Sequence, residues 1–150
     1  MDHREIVDAL KAVSLFSRLS QKYLTGIARS CVEREFDEGE TIIRQGNPGV
    51  GLFVIVSGTV KVVKTNEAGK RMELATHGSG EVIGEMAVLD GANRTADVIA
   101  VEPTTCLVLS SWDFRSFMDA HPEVALEILP VVVQRFRETN EALTGMRAHG

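Results

Sequence analysis

Cysteines, basic excess, histidine clusters and long apolar runs are all scarce in this chain, and each scarcity excludes a class of function. Among 150 residues there are two cysteines, Cys31 and Cys106, with no CxxC spacing. That is too few for a disulfide framework or an iron–sulfur cluster, and it fits a reducing cytoplasm in which both are small core residues. No run reaches the roughly 20 apolar residues of a membrane span. The longest candidate, 52–63, is interrupted by Ser57, Gly58 and Lys61. The first residues, MDHREIVDAL, open on charges and lack the apolar centre of a secretion signal. A cytoplasmic protein that does not enter the membrane is therefore expected. The net charge is −5 and the pI near 5.4, whereas a free-standing nucleic-acid binder carries a basic face. Arg135 and Arg137 are offset by Glu138 and Glu141. The four histidines, at 3, 77, 121 and 149, are scattered without an HxH pair. A metal site of clustered histidines with a carboxylate has no basis here. Nor does a Ser/Cys–His arrangement surround a glycine elbow, so no catalytic residues, no metal and no enzymatic activity are expected.

What the chain does contain changes texture twice. Residues 4–13 place Ile6, Leu10 and Val13 at helical spacing, and a second helix from Ser20, its N-cap, uses Tyr23, Leu24, Ile27 and Cys31. Leu15-Phe16 forms an apolar link between them, and the helical pattern ends near Val32. From Phe36 to Leu109 come short β-rich runs with turn signals every eight to twelve residues. Asp37-Glu38-Gly39-Glu40, Gln45 to Gly49, Ser57-Gly58 and Asn66 to Lys70 are the turns. Thr41 to Ile43, Leu52 to Val56, Thr59 to Lys64, Arg71 to Thr76, Asp97 to Val101 and Cys106 to Leu109 are the strands. Such spacing predicts a sandwich, roll or barrel rather than a parallel sheet. Helical texture resumes at Ser111 with Trp112, Phe114, Phe117 and Met118, and a longer helix follows Pro122. The chain thus reads as a single domain over 1–150: N-terminal helices (1–34), a β-rich body (35–110) and C-terminal helices (111–150).

Along the last helix Ala125, Leu129, Val132, Phe136, Thr139, Leu143 and Met146 repeat at intervals of four and three. This is a heptad seam suited to a parallel coiled-coil homodimer; the alternative is one helix packed on its own domain, which Val131 and Val133 favour in part. Pro130 lies inside the helix and predicts a kink. Thr139, with Asn140 beside it, is the polar notch of the seam, kept either for register or for a ligand.

Residues 80–96 read GEVIGEMAVLDGANRTA. A glycine ahead of a short helix admits a ligand close to the backbone, and the first turn of a helix over 85–89 leaves amide donors for an anion. Arg94 supplies a planar guanidinium for two phosphate oxygens. Glu85 would repel that phosphate unless it accepts from something else, such as sugar hydroxyls. Phosphate donors beside one hydroxyl acceptor suggest a nucleotide.

From residue 15 to 143 the sequence resembles the cyclic nucleotide-binding domain, most closely the sensor half of bacterial regulators like the catabolite activator protein. The resemblance rests on Phe36 with Gly39-Glu40, Ile43 with Gln45-Gly46, Leu52-Phe53-Val54-Ile55 and Ser57-Gly58. Its main support is the intact cassette Gly84-Glu85-Met86-Ala87, six residues, then Arg94-Thr95-Ala96. It implies a mainly β fold: an antiparallel, jelly-roll-like β-roll with N-terminal helices, a short phosphate-binding helix within 80–96, and a long C-terminal helix. It also implies that Glu85 accepts from the ribose 2′-hydroxyl, and that Arg94 clamps the cyclic phosphate with amides near Gly84, Met86 and Ala87. Thr95 would sit beside the phosphate or a guanine, Leu74 would line the base pocket, and Thr139 with Asn140 would reach adenine from two subunits. The function implied is a sensor that signals by moving its C-terminal helix. Thr139-Asn140 favours cyclic AMP and Thr95 allows cyclic GMP. The alternative is a ligand-independent dimerisation or interaction module with a vestigial pocket. The bacterial activators continue into a helix-turn-helix domain, which this sequence does not contain; DNA binding by this chain alone is not expected.

Overall fold

The structure is a computed structural model that describes residues 1–149, with side chains described through residue 145. Helix α1 (His3–Leu10) starts on Asp2, whose carboxylate accepts from the Glu5 N–H at 2.8 Å. A 3₁₀ turn at Ser14–Phe16 leads to α2 (Gln21–Ala28). Ser20 does stand at the N-cap of α2, but its side chain makes no capping bond.

Eight strands follow among the described residues: β1 (Val32–Phe36), β2 (Thr41–Ile43), β3 (Gly51–Ser57), β4 (Thr59–Thr65), β5 (Arg71–Gly78), β6 (Val82–Ile83), β7 (Asp97–Ala100) and β8 (Thr104–Ser110). Helix α3 (Ala87–Asp90) lies between β6 and β7. The strands form two four-stranded sheets, ordered β1-β8-β3-β6 and β2-β7-β4-β5, with every pairing antiparallel. This is the expected mainly β roll.

Two cores follow from the period-two alternation of β3. Leu52 and Val54 face the helices, where they join Leu10, Leu15, Phe16, Leu24, Leu107 and Phe114. Phe53 and Ile55 face the other way, into the space between the sheets with Phe36, Val60, Val98 and Cys106. Because both faces of β3 are buried, its sequence is an unbroken apolar run rather than an alternating one.

The β texture begins earlier than the residues suggested. Val32–Phe36 is a strand, so the expected boundary after residue 34 cuts through β1. The reason is its position at a sheet edge: Glu33, Arg34 and Glu35 are exposed and only Phe36 is buried. An edge strand with charged residues carries no apolar signal. The helix expected to include Cys31 stops at Ala28, and Cys31 donates instead to the Ile27 carbonyl from the turn that follows. The two-residue strand β6 has no counterpart among the strands expected from the sequence.

Helix α4 (Ser111–Ala120) is capped by Ser110 and places Phe114 in the core. After His121-Pro122, α5 (Glu123–His149) runs through Pro130 as one helix. Its inner face carries Val124 and Ile128, fully in the core, with Val132 packed against them. Its outer face exposes Leu126, Leu129, Val133, Phe136 and Leu143. The outward stripe therefore shares Leu129, Phe136 and Leu143 with the expected seam. Val132 is instead packed against the chain's own core, Ala125 is half-buried, and Leu126 and Val133 are exposed beside the stripe. The side chain of Met146 lies outside the described residues.

Candidate nucleotide-binding site

Residues 84–96 are held in place by backbone bonds to the turn between β2 and β3. The Arg94 N–H donates to Asn47 O at 2.8 Å, Gly46 N–H to Arg94 O at 2.8 Å, and Gly49 N–H to Ala92 O at 2.9 Å. This turn must come very close to the cassette. A methyl group on residue 49 would lie 2.6 Å from Ala87 Cβ and 2.7 Å from Ala92 O, so only glycine fits. Gln45 fixes the base of the turn by exchanging two 2.9 Å hydrogen bonds with the backbone of Thr65. The Asp97 carboxylate accepts from the Gln45 N–H at 2.7 Å. Gln45-Gly46 thus has a structural task in supporting the cassette.

Gly84 carries the chain out of β6 with φ of 73°. Helix α3 then makes a single turn, and Gly91 closes it in the left-handed conformation, its N–H donating to Ala87 O. A helix this short has little macrodipole, so what it offers a ligand is the amides of its first residues. The helix was expected over 85–89 and in fact covers Ala87–Asp90, with Met86 as N-cap.

Glu85 and Arg94, the two charged residues singled out in the sequence, do not pair with each other. Glu85 Oε1 accepts from Arg135 Nη2 on α5 at 2.8 Å and from the Leu15 N–H of the 3₁₀ turn. The carboxylate joins three elements that are 50 and 70 residues apart in sequence. Its second oxygen, Oε2, has no protein partner among the described residues. Arg135 Nη1 also reaches the Met86 thioether at 3.3 Å. Arg94 is turned inward: its Nη2 donates to Gly51 O, and its guanidinium fills the space where residue 84 would carry a Cβ. Burial lowers its pKa from the usual arginine range, and the Asp90 charge opposes that shift.

A cleft of about 400 Å³ opens over this region, lined among others by Gly84, Glu85, Ala87, Arg94, Thr95 and Arg135. It can offer a cation, backbone amides and a carboxylate oxygen within one concave surface. Met86 lines the same cleft. The structure therefore brings together six of the nine residues expected at the site. Leu74, on β5, is 53% exposed and lies outside the cleft lining. Thr139 and Asn140 are exposed on α5, and the Thr139 hydroxyl donates to Arg135 O at 3.0 Å within its own helix. A single chain does not bring these three to the cleft. Two participants went unrecognised in the sequence. Arg135 lies one turn before Thr139 and reads there as a surface charge. The Leu15 N–H is a backbone group with no side-chain signal.

Comparison with known proteins is consistent with this geometry. The family model described as cyclic nucleotide-binding domain matches residues 33–121. The chain is 31% identical over 131 residues to the cyclic AMP receptor protein of Thermus thermophilus, covering 87% of this chain and 61% of that protein. It is 35% identical over 118 residues to human cGMP-dependent protein kinase 2, covering 77% of this chain and 15% of that one. Among solved structures, the N-terminal domain of a transcriptional regulator from Streptomyces coelicolor superimposes with a TM-score of 0.81 at 33% identity, covering 90% of this chain and 96% of that one. The chain thus spans less than two thirds of the length of these two curated relatives. A matched model over more than half the chain, a cassette folded as one cleft and a shared roll lead to one conclusion: the chain belongs to the cyclic nucleotide-binding domain family.

Proposed function

We propose that this domain is a cyclic AMP sensor whose ligand acts on α5 through Glu85. The observation that carries the reading is the division of labour on one carboxylate. Glu85 Oε1 is bonded to Arg135 of α5 and to the Leu15 N–H, while Oε2 has no protein partner among the described residues. A carboxylate accepts at both oxygens, so a ribose 2′-hydroxyl donating to Oε2 would be felt directly at α5. Arg94 supplies the second half of the mechanism. It exchanges the Gly51 carbonyl for the cyclic phosphate, with Thr95 and the amides near Gly84, Met86 and Ala87 beside it. Each charge-assisted hydrogen bond gained contributes about 1.5–3 kcal/mol. If only one arrangement of cassette and α5 permits it, such a bond shifts the balance between them by one to two powers of ten.

The base and the assembly belong to the same reading. Thr139 and Asn140 stand on α5 beside the exposed Phe136 and Leu143, so pairing two α5 helices would carry them toward a partner's cleft. Leu74, exposed on β5, would meet the base. Cyclic AMP is favoured on this account, and Thr95 is the feature that admits cyclic GMP. The domain acts by binding rather than catalysis, and the output lies in whatever it regulates.

A second reading draws on the same contacts. Glu85 and Arg94 both have protein partners already, which suits a ligand-independent interaction module. Calorimetric titration of cyclic AMP and cyclic GMP separates the two. Saturable binding of cyclic AMP, lost in Arg94→Leu, is expected. Heat changes absent with both nucleotides would favour the module.

A further inference from the structure

On the side of β3 that faces between the sheets, the roll is open at one end, and a cavity of about 410 Å³ lies there. It shares no lining residue with the cassette cleft, although Gly51, which lines it, accepts from Arg94 of that cleft. Its walls are apolar: Phe53 at the base, Val32 of β1 and Val50 before β3 at the sides, and Trp112 of α4 at the rim. Three of these are far more exposed than residues of their type usually are: Val32 at 59%, Val50 at 51% and Trp112 at 63%. Isolated apolar side chains on a surface need no explanation, but three converging on one concavity do.

The cavity carries two charged groups of opposite sign, with the hydroxyl residues Ser30 and Ser110 beside them. Arg34 lies on β1, stacked 5.7 Å over the Phe36 ring, with no ion-pair partner among the described residues. Asp113 lies in the first turn of α4; its N–H is bonded to Ser110, and its carboxylate has no donor among the described residues. An apolar concavity with a small number of placed polar groups is the profile of a small-molecule site. The indole offers a flat face for stacking, the guanidinium a fork for a carboxylate, and the Asp113 carboxylate an acceptor for a donor at the far end of a ligand.

We propose that this open end of the roll binds a small aromatic carboxylate bearing a hydroxyl or ring N–H, with its acid on Arg34, its ring against Trp112 and its donor on Asp113. Trp112 is the only tryptophan in the sequence, so its fluorescence reports on this cavity alone. Titration with 4-hydroxyphenylacetate is expected to change that fluorescence saturably, and the neutral 4-hydroxyphenylacetamide to bind at least tenfold more weakly. Arg34→Gln, an exposed strand-edge change, is expected to erase the preference for the acid. Amide chemical shifts under the same titration are expected to move at Val32, Val50 and Trp112. No saturable change with either probe would overturn the proposal. So would a preference for the acid that survives Arg34→Gln, or shifts centred on 84–95 instead.

Discussion

Arg94 occupies the space beside Gly84 that any side chain at that position would need, and φ at residue 84 is 73°. Gly84→Ala is therefore expected to lower stability by about 1–2 kcal/mol from backbone conformation alone, and to push the guanidinium off the Gly51 carbonyl. Urea unfolding measures the first effect; an unchanged midpoint would mean that residue 84 tolerates a side chain after all. The cysteines give a second residue-scale expectation. Burial pushes the Cys31 thiol up to about 12 and the Cys106 thiol up to about 11, from a usual 9.0. Between the two values the unfolded chain has lost protons that the folded chain keeps, so stability falls as pH rises. The cysteines' contribution to the melting temperature should be flat below pH 9.0 and decline from there toward about 11. A Cys31→Ala/Cys106→Val double variant should lose that decline, and a decline of the same size in the variant would assign it to other groups.

At the scale of elements, α5 has two faces with separate tasks. The inner face is tied to the cassette by Arg135, and the side chains of Arg135 and Glu85 are 31% and 16% exposed. The Arg135 side of the pair still meets solvent, which screens it, so Arg135→Met should cost on the order of 1 kcal/mol. Its sharper effect should be on coupling, because cyclic nucleotide would then bind without altering α5. Hydrogen exchange along α5, with and without cyclic AMP, measures this; an undiminished ligand effect would mean the signal bypasses Arg135. The outer face exposes Leu129 and Phe136 where neither contributes to the domain's own core. As a dimer surface it should fail when charged. Leu129→Glu/Phe136→Glu is expected to give a monomer of unchanged helicity by light scattering, where the unaltered chain gives a dimer. A monomer in both cases would remove the dimer.

For the whole molecule, a net charge of −5 opposes association with a polyanion, and the expectation is no salt-dependent mobility shift of duplex DNA by this chain. Among the described residues no helix is long and apolar enough to cross a membrane. A ligand that binds the native state alone raises the melting point by an amount that grows with the logarithm of its concentration relative to Kd. Cyclic AMP should therefore stabilise the intact chain, and Arg94→Leu should remove most of that shift. A full shift in Arg94→Leu would put the nucleotide elsewhere.

Much of this protein was determined by local sequence. Turn residues at short intervals pointed to a β-rich sandwich, roll or barrel, the run 52–56 to a strand, and the chemistry of Gly84, Glu85 and Arg94 to candidate site residues that the fold brings to one cleft. These features depend on period and on residue chemistry, which neighbours in sequence carry. Other features were decided only when distant segments met. The edge strand β1 was hidden because solvent, not the core, chose its side chains. Which stripe of α5 faces outward depended on how the helix rolls onto Leu10 and Phe114, and a seam of fours and threes can be drawn along either of two adjacent stripes. Above all, Glu85 reads in the sequence as a free acceptor. Its bonds to Arg135 and the Leu15 N–H exist because the fold brings residues 15, 85 and 135 together, and no local pattern encodes a contact across that separation.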